Sequence, residues 1–145
     1  NLNVSKFGSR LAGAGGFINI SQNAKQVVFL GTFSAGPQDI RIEDGQLRII
    51  KDGELCKFVA EVEHRTFAGH QAAERGQPVL YVTERCVFRL TLDGRELIEV
   101  APGVDIQRDI LDRMDFTPIV RTPQLMDARL FLPSPIGLSE QLNAD

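Results

Sequence analysis

The sequence predicts an α/β domain built on an open, mixed sheet, and three observations carry that expectation. Val27-Val28-Phe29-Leu30-Gly31-Thr32-Phe33 is a continuous apolar run bounded by glycine. Such a run suits a strand covered on both faces, as in a parallel or mixed sheet. Asp39-Ile40-Arg41-Ile42-Glu43 and Gln46-Leu47-Arg48-Ile49 instead alternate strictly, the mark of strands with one wet face. Ile106, Ile110, Leu111 and Met114 recur at spacings of three and four, which places them on one face of a helix.

Taken in order, residues 1–26 are rich in Gly, Ser and Asn and centre on Gly13-Ala14-Gly15-Gly16-Phe17. After the apolar run, Asp44-Gly45 joins the two alternating segments, the preferred composition for a two-residue hairpin turn. A second pair, Asp52-Gly53, follows. Residues 57–67 read as further strand, so 39–67 is expected to be an accessory β-hairpin region. Residues 68–77 read as a connector containing Gly69 and Gly76. Strands are expected over 79–83 and 87–92, with Asp93-Gly94 turning the chain into a partner over 96–100. Ala101-Pro102-Gly103 breaks that strand, and Asp105 is placed to N-cap a helix over 106–114. Short extended segments are expected over 116–120 and 125–131. The main body is assigned to residues 1–132. The tail, 133–145, carries Pro133, Pro135 and Gly137 and is expected to be poorly ordered.

The 145 residues match one ordinary domain. With 43% hydrophobic and 24% charged residues, the chain is composed like a typical globular protein. The net charge of −3 argues against a nucleic-acid surface, which needs a basic excess. No apolar run approaches the length that spans a bilayer. The opening Asn1-Leu2-Asn3-Val4-Ser5 reads as mid-domain, so the chain is expected to be part of a larger protein. Cys56 and Cys86 stand 30 apart with no CxxC pair and are expected to be reduced, partly buried thiols. A cytoplasmic setting follows from that expectation.

Four sets of residues invite chemistry. In the glycine loop, Gly13, Gly15 and Gly16 allow positive φ and close approach of a ligand to backbone amides. A helix starting near Phe17 would strengthen anion binding there, and the same amides suit a thioester oxyanion. The loop is neither a dinucleotide fingerprint, because Ile18 occupies the last glycine position, nor a P-loop. A plain tight turn is the competing reading. Among the acids, Glu84 stands apart because it follows a buried-looking strand, although a wet strand end explains it equally well. His64 and His70, six apart, fit no catalytic pattern and are read as a solvated strand position and a connector residue. Lys6, Arg10 and Lys25 flank the glycine loop, either as partners for cofactor phosphates or as ordinary surface charges.

The order of these pieces resembles the family I CoA-transferases, the acetate, propionate and short-chain acyl-CoA transferases related to the 3-oxoacid CoA-transferases. The resemblance runs through Asn3-Val4-Ser5-Lys6-Phe7-Gly8, the stretch from Gly13 to Lys25, and Val28-Phe29-Leu30-Gly31-Thr32-Phe33. It continues through Glu74-Arg75-Gly76-Gln77, Tyr81-Val82-Thr83-Glu84-Arg85 and Leu97 to Asp105. Asp109-Ile110-Leu111 and Leu125-Met126-Asp127-Ala128-Arg129 complete it. It covers nearly all of residues 3–132.

The resemblance implies an open mixed α/β sheet of the CoA-transferase (NagB/RpiA-like) type and a C-terminal position in the enzyme. It implies coenzyme A as a substrate, with no permanently bound cofactor and no metal. The substrates are acyl-CoA and small carboxylic acids. The family's glutamate forms a glutamyl-CoA thioester, and it lies in an E-x-G motif N-terminal to the glycine loop, hence outside this chain. Glu74-Arg75-Gly76 has matching letters but follows the loop and is not that motif. Gly15 is the first expectation for the backbone contact to the thioester oxygen, then Gly16. Gly13, Gly15, Gly16, Phe17, Asn19 and Lys25 are the expected CoA contacts. The expected partner is the N-terminal part of the same enzyme, in a homo-oligomer, with no nucleic acid and no membrane. The competing functions are a non-catalytic binding or assembly domain and a thioester hydrolase of the same superfamily.

Overall fold

The structure, a computed structural model, describes residues 1–139. A small hairpin, β1 (Lys6–Phe7) and β2 (Arg10–Leu11), turns at Gly8 and leads through the glycine loop into helix α1 (Phe17–Asn23). Strand β3 (Val27–Leu30) follows, then β4 (Ser34–Ala35), β5 (Asp39–Glu43), β6 (Gln46–Lys51) and β7 (Leu55–Cys56). Helix α2 (Gly69–Glu74) leads into β8 (Val79–Val82), β9 (Cys86–Thr91) and β10 (Gly94–Val100). Helix α3 (Ile106–Asp109), a 3-10 turn (Leu111–Arg113), β11 (Ile119–Leu125) and a second 3-10 turn (Ala128–Phe131) complete the order.

The central sheet is mixed, with strand order β11-β10-β9-β8-β3. Both outer pairs, β3 with β8 and β10 with β11, are parallel, while β8, β9 and β10 run antiparallel to one another. The expected open mixed α/β sheet is the fold. Pro123 falls within β11, and an edge strand tolerates a residue that cannot donate to the ladder.

Side-chain alternation sends each strand's residues to two clusters. Val27, Val79, Tyr81, Cys86, Phe88 and Leu97 point to the first face, where Ala72 of α2, Ile106 of α3 and Phe17 of α1 cover them. Ile110, Leu111 and Met114 join the same cluster, as their spacing predicts. Phe29 stacks on Tyr81 at 5.5 Å and meets Phe67 edge-on at 5.0 Å. The Tyr81 hydroxyl is buried with no protein partner among the described residues, so packing of the ring is what it contributes. On the second face, Val87, Leu80, Val82 and Ile98 meet Leu47 and Ile40 of the β5–β6 hairpin, with Met126 and Phe131.

The hairpin turns as the Asp-Gly pair predicts: Asp44 has φ 52° and Gly45 φ 72°, the left-handed pair of a type I′ turn. Its seat is tight. The Leu47 amide donates to the Pro102 carbonyl at 2.8 Å, and a Cβ on Gly103 would stand 2.8 Å from the Leu47 oxygen.

Several expectations are corrected. The run from Val27 forms a strand only to Leu30, and it lies at the sheet edge with one face uncovered: Val28 is 52% and Leu30 81% exposed. The hairpin that covers Leu80 and Val82 on that face does not include Val28 or Leu30 in its cluster. Residues 57–67 hold no strand beyond an isolated bridge from Phe67 to Leu2; aromatic packing of Phe58 between Phe33 and Phe88 shapes that segment. The supposed connector contains α2, whose end is marked by Gly76 at φ 68°, a left-handed helix stop. The helix after Asp105 is shorter than expected and gives way to a 3-10 turn, although Asp105 does accept the Arg108 amide. The strand expected near 116–120 runs instead over Ile119–Leu125, and 128–131 is a 3-10 turn. In the tail, Arg129 donates to the Ile136 carbonyl at 3.1 Å; the expectation for 140–145 lies outside the described residues.

One polar cluster ties the two halves of the chain together. The Arg85 side chain is fully buried. Its guanidinium donates to both Asp52 oxygens at 2.9 and 3.1 Å, to Glu84 Oε1 at 3.0 Å and to the Asp109 carbonyl at 3.0 Å. It also lies over the Phe33 ring, 4.5 Å from the centroid. Asp52 further accepts from the Ser34 hydroxyl at 2.6 Å and the Gly53 amide at 2.8 Å. Burial pushes the Asp52 carboxyl up, but the hydrogen bonds from Arg85 and Ser34 and the Arg85 charge outweigh it. The net effect holds Asp52 far below its ordinary value.

Two outcomes follow from this packing. Arg85→Met leaves Glu84 without its cation and Asp52 with only the partly exposed Arg113, at 3.0 Å, and should lower unfolding free energy by about 3–5 kcal/mol in urea titration. Because folding depresses the Asp52 pKa, its stabilisation is complete above the ordinary carboxyl value and is lost as pH falls through the folded one. Denaturation measured from pH 6 downward should therefore show a loss of stability below about pH 4, and Asp52→Asn should remove that component.

Candidate functional site

The glycine loop is built by local backbone requirements. Gly15 sits at φ 53°, a left-handed conformation that costs other residues about 1–2 kcal/mol. A Cβ at Gly15 would meet nothing within 4 Å, so the demand is conformational and not steric. Gly16 caps α1 from a helical φ of −79°. The Phe17 amide closes the turn by donating to the Ala14 carbonyl at 3.0 Å. The amides of Gly15 and Gly16 donate to no protein acceptor among the described residues. Gly13, by contrast, does not adopt positive φ.

The loop has a defined place on the sheet. Phe17, the first residue of α1, packs against Phe29 near the end of β3, with ring centroids 5.8 Å apart. Helix α1 therefore runs antiparallel to β3, and its first turn lies toward the carboxyl ends of the parallel strands β3 and β8. In open α/β sheets that end is where ligands bind. Between α1 and β3 runs an apolar groove of about 320 Å3 lined by Phe17, Ile20, Ala24, Val27, Val28 and Phe29.

The expected site residues separate on inspection. Gly15 and Gly16 lie together at the head of α1, and Asn19 is exposed in its first turn. The Phe17 ring belongs to the core cluster. Lys25 is exposed just past the other end of α1, a helix about 10 Å long. Lys6 pairs with Glu63 at 3.3 Å, and Arg10 is exposed on β2. Neither histidine joins the loop. His64 hydrogen-bonds Ser5 through Nδ1 at 2.5 Å, and His70 pairs with Glu74 across one turn of α2. The Cys86 thiol is pushed up to about 12 by burial, which makes it inert as a nucleophile. Cys56 donates to the Phe58 and Arg113 carbonyls and is also raised by burial.

Two groups at the strand ends were not legible as a unit. Glu84, directly after β8, accepts the Phe33 amide at 2.8 Å and pairs with Arg85, so it shapes the chain just after β3 instead of standing free in solvent. Lys57 reaches across from the irregular segment to the Thr32 carbonyl at 2.5 Å. The only signal in the sequence was the composition at 83–85, Thr-Glu-Arg after a buried strand. Lys57 gave none. Among the described residues no cluster of three or more His, Cys, Asp and Glu could hold a metal ion, and no helix is long and apolar enough to cross a membrane.

No family model matches the chain. It is 49% identical over 138 residues to the acetate CoA-transferase YdiF of Escherichia coli (strain K12), covering 94% of this chain and 26% of that protein. It is 53% identical over 137 residues to the caffeate CoA-transferase of Acetobacterium woodii, covering 90% of this chain and 26% of that one. The crystal structure of the acyl-CoA transferase YdiF from E. coli O157:H7, a thioester complex with CoA, superposes with a TM-score of 0.92 at 49% identity. That match covers 94% of this chain and 27% of that chain. The decarboxylase AibA/AibB, at 18% identity and a TM-score of 0.60, shares the fold. With half its residues identical and its fold superposable over nearly its whole length, the chain matches a segment of these CoA-transferases that spans about a quarter of the length of the curated relatives.

Proposed function

We propose that this chain is the C-terminal segment of an acyl-CoA:carboxylate CoA-transferase and contributes the glycine loop to its active-site wall. The observation that carries this reading is the pair of unspent amides at Gly15 and Gly16, at the head of α1 and the carboxyl end of β3. Amides aimed at a developing oxyanion are worth more than at a neutral carbonyl, because charge grows as the tetrahedral species forms.

The chemistry proposed for the whole enzyme proceeds by covalent catalysis. A glutamate supplied from outside this chain attacks the acyl-CoA thioester carbonyl and expels CoA thiolate, leaving a mixed anhydride. The thiolate then attacks the glutamyl carbonyl of that anhydride, releasing the acyl group as carboxylate and leaving glutamyl-CoA. An incoming carboxylate reverses both steps and departs as the new acyl-CoA. Each tetrahedral species places negative charge on a former carbonyl oxygen. The amide of Gly15, and secondarily that of Gly16, accommodates it. Gly13, Phe17, Asn19 and Lys25 are the further candidate contacts to CoA; the Phe17 ring supports the loop from below.

The choice of acid is proposed to lie largely outside the segment. The two relatives are similarly identical to this chain, yet one is named for acetate and the other for caffeate. What such enzymes share is CoA itself.

In a full-length enzyme carrying this segment, Gly15→Val keeps the backbone N–H but disfavours the φ of 53° that aims it, so displacing this oxyanion donor should lower kcat about 100-fold or more. Unchanged acyl transfer would refute the assignment of Gly15. The reaction class is checked by assaying free thiol with and without carboxylate acceptor. Release of CoA without acceptor would mean a hydrolase, whereas transferase activity requires the acid.

A further inference from the structure

We propose that Lys57 is an anion-contacting residue of the substrate site, through which the 39–67 region takes part in binding; this rests on the CoA-transferase reading above. The segment around Lys57 has no strand structure, yet its position is well defined. Phe58 packs between Phe33 at 4.7 Å and Phe88 at 5.2 Å, which anchors the backbone beside the carboxyl end of the sheet. From there the Lys57 ammonium reaches the Thr32 carbonyl at 2.5 Å and approaches the Thr32 hydroxyl at 3.4 Å.

Three features make this more than a surface lysine. First, its place is the ligand end of the sheet. Thr32 lies two residues beyond β3, and the glycine loop packs toward the same strand end through Phe17 and Phe29. Second, its charge is uncompensated. Among the described residues no carboxylate lies within ion-pair distance of Lys57; Lys25 and Lys51 share that state, and what sets Lys57 apart is its anchored place at the strand ends. Its two protein contacts are neutral oxygens of one residue, and an ammonium has three donors to direct. Third, the ammonium lies close over the backbone: a Cβ on Gly31 would stand 3.3 Å from the Lys57 Nζ. A fixed, exposed, unpaired cation at this end of the sheet is placed for an anionic oxygen of the substrates.

Those substrates offer two such sources, a phosphate of CoA and the carboxylate of the acid. The experiment separates them. Steady-state kinetics of a full-length enzyme carrying this segment would compare wild type, Lys57→Met and Lys57→Arg, varying acyl-CoA and carboxylate in turn. Loss of one charge-assisted contact predicts a rise of about tenfold in KM for one substrate in Lys57→Met, with kcat within about twofold and near-normal values in Lys57→Arg. A rise for acyl-CoA that vanishes with acyl-dephospho-CoA assigns the 3′-phosphate; one that persists assigns the pyrophosphate. A rise for the acid alone assigns the carboxylate. Unchanged KM for both substrates, or a change in kcat alone, overturns the proposal. Lys57→Gln, which keeps an N–H for Thr32 but no charge, stands in if the Met variant melts early. A wild-type enzyme without transfer activity would refute the functional reading and not this one. Calorimetric titration of CoA and of carboxylate into wild type and Lys57→Met then decides, with equal affinities for both ligands overturning the role of Lys57.

Discussion

Arg85 cannot be buried as it is unless two distant parts of the chain come to it and its own neighbour Glu84 turns to it. A guanidinium does not lose its proton in a protein, so burial must be answered by acceptors. Asp52 supplies two from the hairpin region, Glu84 one from the strand end, and the Asp109 carbonyl one from α3. Asp52 is in turn held by Ser34 and Gly53, and Glu84 holds the Phe33 amide. Through these contacts one side chain sets where β3 ends, where the hairpin region re-enters and where α3 sits. The strand ends on which the candidate site depends are therefore held by this network as well as by the sheet ladder.

The two faces of the sheet are finished to different degrees. The first is closed by three helices and a run of aromatic contacts from Phe17 through Phe29 to Phe67 and Tyr81. The second is closed only where the β5–β6 hairpin and Phe131 lie over β8, β9 and β10. Beyond that cover, Val28 and Leu30 stay exposed on β3 beside the apolar groove of α1. An edge strand of this kind carries none of the charged or proline guards that blunt free edges. Its exposure suits a segment that spans about a quarter of its relatives' length.

The hairpin region acquires a structural role on this view. It was legible in the sequence as strands with one wet face, but nothing in its composition assigned it a purpose. In the fold its apolar side closes the second face through Leu47, and its return path places Asp52 under Arg85 and Lys57 above Thr32. The same stretch thus packs the sheet and reaches the strand ends.

What the sequence determined by itself was local. The Asp44-Gly45 turn, the Asp105 cap, the core face of Ile106, Ile110 and Met114, and the left-handed demand at Gly15 each follow from a few neighbouring residues. The ordered resemblance from Asn3 to Arg129 pointed to the family before any fold was known. The tertiary structure alone decided that the run after Val27 is an edge strand, that 57–67 is irregular, and that α2 interrupts a supposed connector. It also decided that Arg85, which no sequence pattern singles out, is the buried centre of a network. The reason is the same in each case. Periodicity and turn chemistry act over a few residues, whereas burial and ion pairing join positions such as Asp52 and Arg85 that lie far apart in the chain.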